Sequence, residues 1–73
     1  MRSGNADVWE VAREACTERQ FRIFELHEKQ QLSVYSIALA LDLSPSTVRT
    51  HLRAAERNVR RALEADQVAA ADG

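Results

Sequence analysis

The residues from Ser44 to Leu63 constrain the fold of this chain most strongly. Ser44 followed by Pro45 is typical of a helix start, because a serine side chain accepts a hydrogen bond from a free backbone N–H group and proline suits the first helical position. Apolar residues then recur four, three, four and four positions apart, which places them on one face of a helix. These residues are Val48, Leu52, Ala55, Val59 and Leu63.

The opposite face of this predicted helix is polar and positive. Residues 44–63 hold five arginines against one glutamate, a net charge of +4. Residues 1–43 hold five basic and seven acidic side chains (−2), and residues 64–73 hold three acidic ones (−3). The net charge of −1 therefore hides one basic segment, which favours binding to phosphate. Its polar face carries Ser46, Arg49, Thr50, Arg53, Arg57 and Arg60.

The rest of the chain is also predicted to be helical. The whole chain contains one proline and two glycines, and no segment alternates apolar and polar residues as a strand does. Thr17 with Gln20 is typical of a capping box, and Ser33 can cap the following helix. We expect an all-α fold, a small bundle of four helices forming one domain at 6–64, with a disordered lead at 1–5 and a frayed acidic tail at 65–73. The predicted helices cover residues 6–15, 18–30, 33–41 and 45–63.

Composition disfavours several classes of function. A single cysteine, Cys16, cannot form a disulfide within the chain, and no apolar run approaches the ~20 residues of a membrane span. We interpret Cys16 as a small buried apolar residue, with a reactive thiol as the alternative. His27 and His51 are too far apart to suggest a metal pair, and no nucleophile motif or glycine-rich loop is present. The expectation is a cytoplasmic non-enzyme without metal, cofactor, membrane or small-molecule ligand.

Residues 34–52 hold the parts of a helix-turn-helix. Ala38 is small enough to let two helices approach closely, and Asp42 stands at a tight turn, where aspartate tolerates a left-handed conformation. Leu43 then returns to the core. In such an arrangement the second helix projects from the domain and fits the DNA major groove. The long C-terminal helix is therefore predicted to be a recognition helix.

The same stretch resembles region 4 of bacterial sigma factors. The resemblance rests on Leu32-Ser33, Ile37-Ala38, Leu41-Asp42-Leu43-Ser44-Pro45, Thr47-Val48-Arg49 and Leu52, with Thr17-Glu18-Arg19-Gln20 and Ile23-Phe24-Glu25-Leu26 upstream. Residues 47–52 are also similar to LuxR-type DNA-binding domains. The last helix continues through residues 57–63 without a glycine break, which favours the sigma-like interpretation. The resemblance implies a domain that reaches promoter DNA beside RNA polymerase.

The chain departs from this family pattern at several positions. Gln31 and Asp42 stand where glycine is common, and Tyr35, Ser36 and Leu39 stand where acidic residues are common. Tyr35 and Leu39 are four residues apart on the outer side of their helix, so they form an apolar patch. Two interpretations remain open. Either the first helix covers the patch, with Trp9 and Phe21 packing over it, or the patch is a surface for a dimer partner or the polymerase.

Position along the recognition helix separates two predicted roles. Side chains in its first turns reach base edges, whereas hydroxyls at its start and arginines further along suit phosphates. The alternative is that the arginines only solvate an exposed face. Candidate base-reading residues are Ser46, Arg49, Thr50 and Arg53, and candidate backbone contacts are Ser44, Thr47, Arg57, Arg60 and Arg61.

Two functions follow from this pattern. The first is a sequence-specific double-stranded DNA-binding regulator, like a stand-alone sigma region 4, in a bacterial cell or phage-infected host. One short recognition helix binds weakly, so RNA polymerase or a second copy of the chain is an expected partner. The second is a protein-interaction module that binds polymerase or another regulator without reading DNA. Met1 and the acidic tail favour a complete small protein over an excised domain.

Overall fold

The computed structural model describes the backbone of residues 7–72 and the side chains of residues 7–65. Within this described part of the chain there are four helices, which we call α1 to α4, and they confirm the predicted all-α helix-turn-helix fold. The helices are α1 (Val8–Ala15), α2 (Glu18–Glu28), α3 (Val34–Leu41) and α4 (Pro45–Asp72).

The caps predicted at the starts of α2 and α3 are confirmed. Thr17 Oγ1 accepts a hydrogen bond from the Gln20 N–H at 3.2 Å, and Gln20 Oε1 accepts one from the Thr17 N–H at 3.0 Å. Ser33 Oγ accepts from the Ser36 N–H at 3.1 Å. These side chains satisfy N–H groups that have no partner within the helix, so the sequence itself fixes both start points.

Four helix boundaries differ from the prediction. α1 begins at Val8, after its N-cap Asp7, and not at residue 6, and α3 begins at Val34, one residue later than predicted. The other two are C-terminal ends. α2 ends at Glu28, two residues early, and Gln31 nearby takes a left-handed backbone conformation with φ 59°. α4 runs nine residues past the predicted end at 63, so residues 65–72 continue the helix rather than forming the predicted frayed tail. This segment has no glycine or proline and is rich in alanine, the best helix former. The predicted lead at 1–5 lies outside the described residues.

The core lies against the inner face of α4, which packs on each of the other three helices. Ile23 of α2, Ile37 of α3 and Val48 of α4 are fully buried. The apolar residues predicted to line the inner face of α4 therefore do lie in the core. The last of them, Leu63, is only partly buried. Within residues 7–72, each helix is too short or too polar to serve as a membrane span. The buried residues are Ala12, Ile23, Phe24, Leu26, Ile37, Ala38, Val48, Leu52, Ala55 and Val59.

The turn between α3 and α4 sets the direction of α4. Asp42 adopts the left-handed conformation predicted for it, with φ 58° and ψ 48°. The Leu43 N–H then donates to the Ala38 carbonyl at 2.9 Å, and the buried Ala38 leaves room for close packing of α3 and α4. The turn therefore holds α4 against α3 while its polar face stays exposed.

Candidate nucleic-acid interface

Three hydroxyl groups lie together at the start of α4. Ser44 Oγ accepts from the Thr47 N–H at 3.2 Å and donates to Thr47 Oγ1 at 2.8 Å, and it lies 3.4 Å from Ser46 Oγ. Ser44 and Ser46 are exposed, and Thr47 is half-buried. The N-terminal end of a helix carries partial positive charge, so these hydroxyls stand where a phosphate would be favourable.

The four candidate base-reading side chains are all exposed on the first turns of α4. Thr50 Oγ1 donates to the Ser46 carbonyl at 3.0 Å. Because its proton is used in this way, the Thr50 hydroxyl presents lone pairs outward and would accept a hydrogen bond from a base amino group. Arg53 lies one turn beyond Arg49, about 6 Å along the helix axis. The four residues are Ser46, Arg49, Thr50 and Arg53.

The Arg49 side chain of α4 contacts Tyr35 of α3. Its Nη2 donates to the Tyr35 hydroxyl at 2.9 Å, and its guanidinium carbon lies 5.5 Å from the centre of the Tyr35 ring. The sequence pattern places Tyr35 and Arg49 on two separate surfaces. The structure brings them together across the helix-turn-helix.

The arginines further along α4 form a stripe, one edge of which lies beside α1. Arg53, Arg57 and Arg60 are exposed at a spacing that keeps them within about one quarter of the helix circumference. Arg61 is rotated by about 100° from Arg60 but by only about 40° from Arg57, and it lines a shallow groove together with Ala15 at the end of α1. Arg61 therefore lies at one edge of the arginine stripe, next to Arg57 and beside the end of α1.

The apolar patch of α3 is not covered by α1. Tyr35 is 61% exposed and Leu39 is 86% exposed. Among the described residues, α1 packs on α2 and α4, with Trp9 tilted against Phe24 at a centroid distance of 5.5 Å. Burial of the fully enclosed Ala12 fixes α1 on that side of the domain. The interpretation in which Trp9 and Phe21 cover the patch is therefore wrong.

One cluster of titratable groups was not predicted from the sequence. His27, Glu28 and Glu56 place candidate metal-ligating atoms within 4.8 Å of one another, and His27 Nδ1 lies 3.0 Å from Glu28 Oε2. Both carboxylates are exposed. Exposed acidic groups often meet in this way without an ion, so the cluster alone does not define a metal site. Glu56 is on α4, and spacing alone could not reveal that it meets the end of α2.

Cys16 lies half-buried between α1 and α2. Its Sγ donates weakly to the Ala55 carbonyl on the inner face of α4, at 3.8 Å. Burial raises the pKa of the Cys16 thiol above its ordinary value, so the unreactive thiol form is favoured. This environment supports the interpretation of Cys16 as a packing residue.

These features define the class of helix-turn-helix DNA-binding domains: a left-handed turn after α3, an inner face of α4 in the core, and an outer face that carries arginines. The family model described as Sigma-70, region 4 matches residues 17–65, which are 49 of the 73 residues. The chain therefore belongs to the sigma-70 region 4 family.

Domains of this family bind DNA in transcription, interact with RNA polymerase and are not enzymes. Comparison with curated proteins and with solved structures gives no match. The similarity to LuxR-type domains stays a prediction. The match leaves out all of α1, which ends before residue 17.

Proposed function

We propose that the chain is a sequence-specific, double-stranded DNA-binding regulator of transcription that places the start of α4 in the major groove. The observation that carries this proposal is the division of α4 into a buried apolar face and an exposed face with a stripe of arginines. A surface that served only to bind another protein would not require such a stripe. The proposed setting is the cytoplasm of a bacterial cell or of a phage-infected host.

The dimensions of α4 support the division of labour between its arginines. Arg49 and Arg53 are about 6 Å apart along the helix axis, well within the ~12 Å width of the major groove. Arg60 lies about 16 Å from Arg49 along the same axis, which exceeds that width. We propose that Arg49 and Arg53 read bases together with Ser46 and Thr50. Arg57 and Arg60 bind the phosphate backbone, together with Ser44 and Thr47.

Arg61 has the weakest geometric support among the proposed backbone contacts. It lines the groove beside the end of α1, at the edge of the stripe that is next to Arg57 and away from Arg60. A phosphate contact from Arg61 would require the DNA backbone to pass close to that side of α4. We keep it as a peripheral contact in the proposal.

A single recognition helix with four to six phosphate contacts binds weakly and depends strongly on salt. The proposal therefore includes a partner that raises the effective concentration of DNA at the domain. The family membership favours RNA polymerase as this partner. A second copy of the chain is the alternative.

The experiment measures fluorescence anisotropy of random-sequence and promoter-like duplexes over a salt series. We expect the wild type to bind with an affinity that falls steeply as salt rises, and Arg49→Ala with Arg53→Ala to weaken binding to the preferred duplex about 10-fold or more. The matched control is Arg19→Ala with Arg22→Ala, which removes the same charge from exposed positions on α2. The control should bind nearly as the wild type does.

Absence of wild-type binding at low salt would contradict the proposal. Equal loss in both double variants would mean that overall charge, and not the α4 face, controls binding. Either result favours the second candidate function, a protein-interaction module that modulates transcription without reading DNA. The specific observation behind that candidate is the exposure of Tyr35 and Leu39 on α3.

A further inference from the structure

The contact between Tyr35 and Arg49 joins the two helices of the helix-turn-helix through exposed side chains. Tyr35 is the second residue of α3, and Arg49 is the fifth residue of α4. The Arg49 guanidinium both donates to the tyrosine hydroxyl at 2.9 Å and lies over the ring at 5.5 Å. A planar guanidinium commonly makes this combination of a hydrogen bond and a cation–π contact with tyrosine.

These two contacts restrict a side chain that otherwise has many rotamers. A free arginine must lose that freedom when it binds DNA, and the cost appears as weaker binding. Tyr35 restrains Arg49 through both the hydrogen bond and the ring contact, so much of the rotamer freedom of Arg49 is already lost in the unbound domain. The restricted side chain still belongs to the first turns of α4, where base edges are within reach.

The contact leaves the binding capacity of Arg49 largely free. A guanidinium has five N–H donors, and Tyr35 accepts only from Nη2. Within residues 7–65, no carboxylate forms an ion pair with Arg49. The acceptor is a phenol hydroxyl and not a carboxylate, so Tyr35 orients the arginine without forming an ion pair with it.

We propose that Tyr35 is a positioning residue of the DNA interface, which holds the Arg49 side chain in place before DNA binds. The inference rests on the proposed function, because it assigns Arg49 to DNA. It also moves Tyr35 from the predicted protein-partner surface to the DNA-binding surface. Leu39, one turn further along α3, stays outside this assignment.

The test is a double-variant cycle on DNA affinity, with Tyr35→Ala, Arg49→Ala and the combination of the two. We expect Tyr35→Ala to weaken binding about 2- to 10-fold, the cost of ordering one long side chain. In the Arg49→Ala background the same change should have no effect. Tyr35→Phe keeps the ring and loses the hydroxyl, so its effect should lie between those of wild type and Tyr35→Ala.

Leu39→Ala is the matched control, because it removes another exposed side chain from the same helix. It should leave DNA affinity unchanged, and the thermal midpoints of all these variants should stay close to that of the wild type. An equal loss from Tyr35→Ala with and without Arg49 would overturn the inference, since Tyr35 would then contact DNA itself. No loss at all would also overturn it.

A second measurement does not depend on DNA. NMR relaxation of the Arg49 guanidinium in the free protein should report a more ordered side chain in the wild type than in Tyr35→Ala. Equal mobility in the two proteins would overturn the positioning role even if the wild type binds DNA. If instead Arg49 is ordered by Tyr35 but no duplex binds, the proposed function fails and the Tyr35–Arg49 contact belongs to another surface.

Discussion

The inner and outer faces of α4 are built from neighbouring residues and serve different purposes. Leu52 is 7% exposed and packs in the core, whereas the next residue, Arg53, is exposed on the outer face. A step of one residue turns the helix by about 100°, so adjacent positions reach different environments. One helix can therefore hold the fold together on one side and offer charge to DNA on the other, with little conflict between the two.

The largest expected effect compares Leu52→Ala with Arg53→Ala. Loss of the buried leucine removes apolar contacts and leaves a cavity, which lowers the free energy of unfolding by about 2–5 kcal/mol. Loss of the exposed arginine changes that free energy by no more than about 0.5 kcal/mol. Urea denaturation followed by far-UV circular dichroism measures both. Similar losses in the two variants would show that the faces of α4 are not separable.

A smaller effect on stability is expected at Asp42, which lies in the turn before α4 and belongs to neither face of that helix. Asp42 lies in the left-handed region, which a β-branched side chain enters only with strain. We expect Asp42→Val to lower the free energy of unfolding by about 1–2 kcal/mol. Asp42→Gly serves as the control and should cause no loss, because glycine adopts this conformation freely. Thermal unfolding of the two variants checks the difference; a tolerated valine would mean that the turn rearranges at little cost.

The smallest expected effect is a pH dependence of the unfolding free energy, which arises from Cys16 packed against the inner face of α4. Burial raises the pKa of the Cys16 thiol, and Sγ donates to the Ala55 carbonyl only while it is protonated. The folded state thus keeps its proton to higher pH than the unfolded state, whose thiol has a pKa near 9.0. The resulting stabilisation is complete below that pH and is lost as the pH rises through the raised pKa of the folded state.

Comparison with Cys16→Ala isolates this contribution, because the alanine variant has no thiol to titrate. The difference in unfolding free energy between wild type and variant should shrink as the pH is raised from neutral to above 9.0. DNA affinity measured below that pH should not follow the change. A constant difference across the range would show that the burial of Cys16 does not affect its ionisation.

Several structural features were predictable because they depend on residues close in sequence. The Thr17–Gln20 capping box and the Ser33 cap need only three-residue spacings, and both are present as predicted. Asp42 in its left-handed turn follows from the conformational tolerance of aspartate. Helix geometry also places Arg61 next to Arg57 at the edge of the arginine stripe, whereas the groove that Arg61 shares with Ala15 depends on how α1 packs against α4.

The amino-acid sequence by itself determined that α4 would be amphipathic, because a period of 3.6 residues sorts apolar and basic side chains onto opposite faces. It also determined where α2, α3 and α4 begin. Only the tertiary structure decided that α1 packs on α2 and α4 and leaves Leu39 exposed, and that Tyr35 holds Arg49. Contacts between side chains on different helices depend on the direction in which those helices cross. That direction is set by the packing of the whole core, which no local spacing encodes.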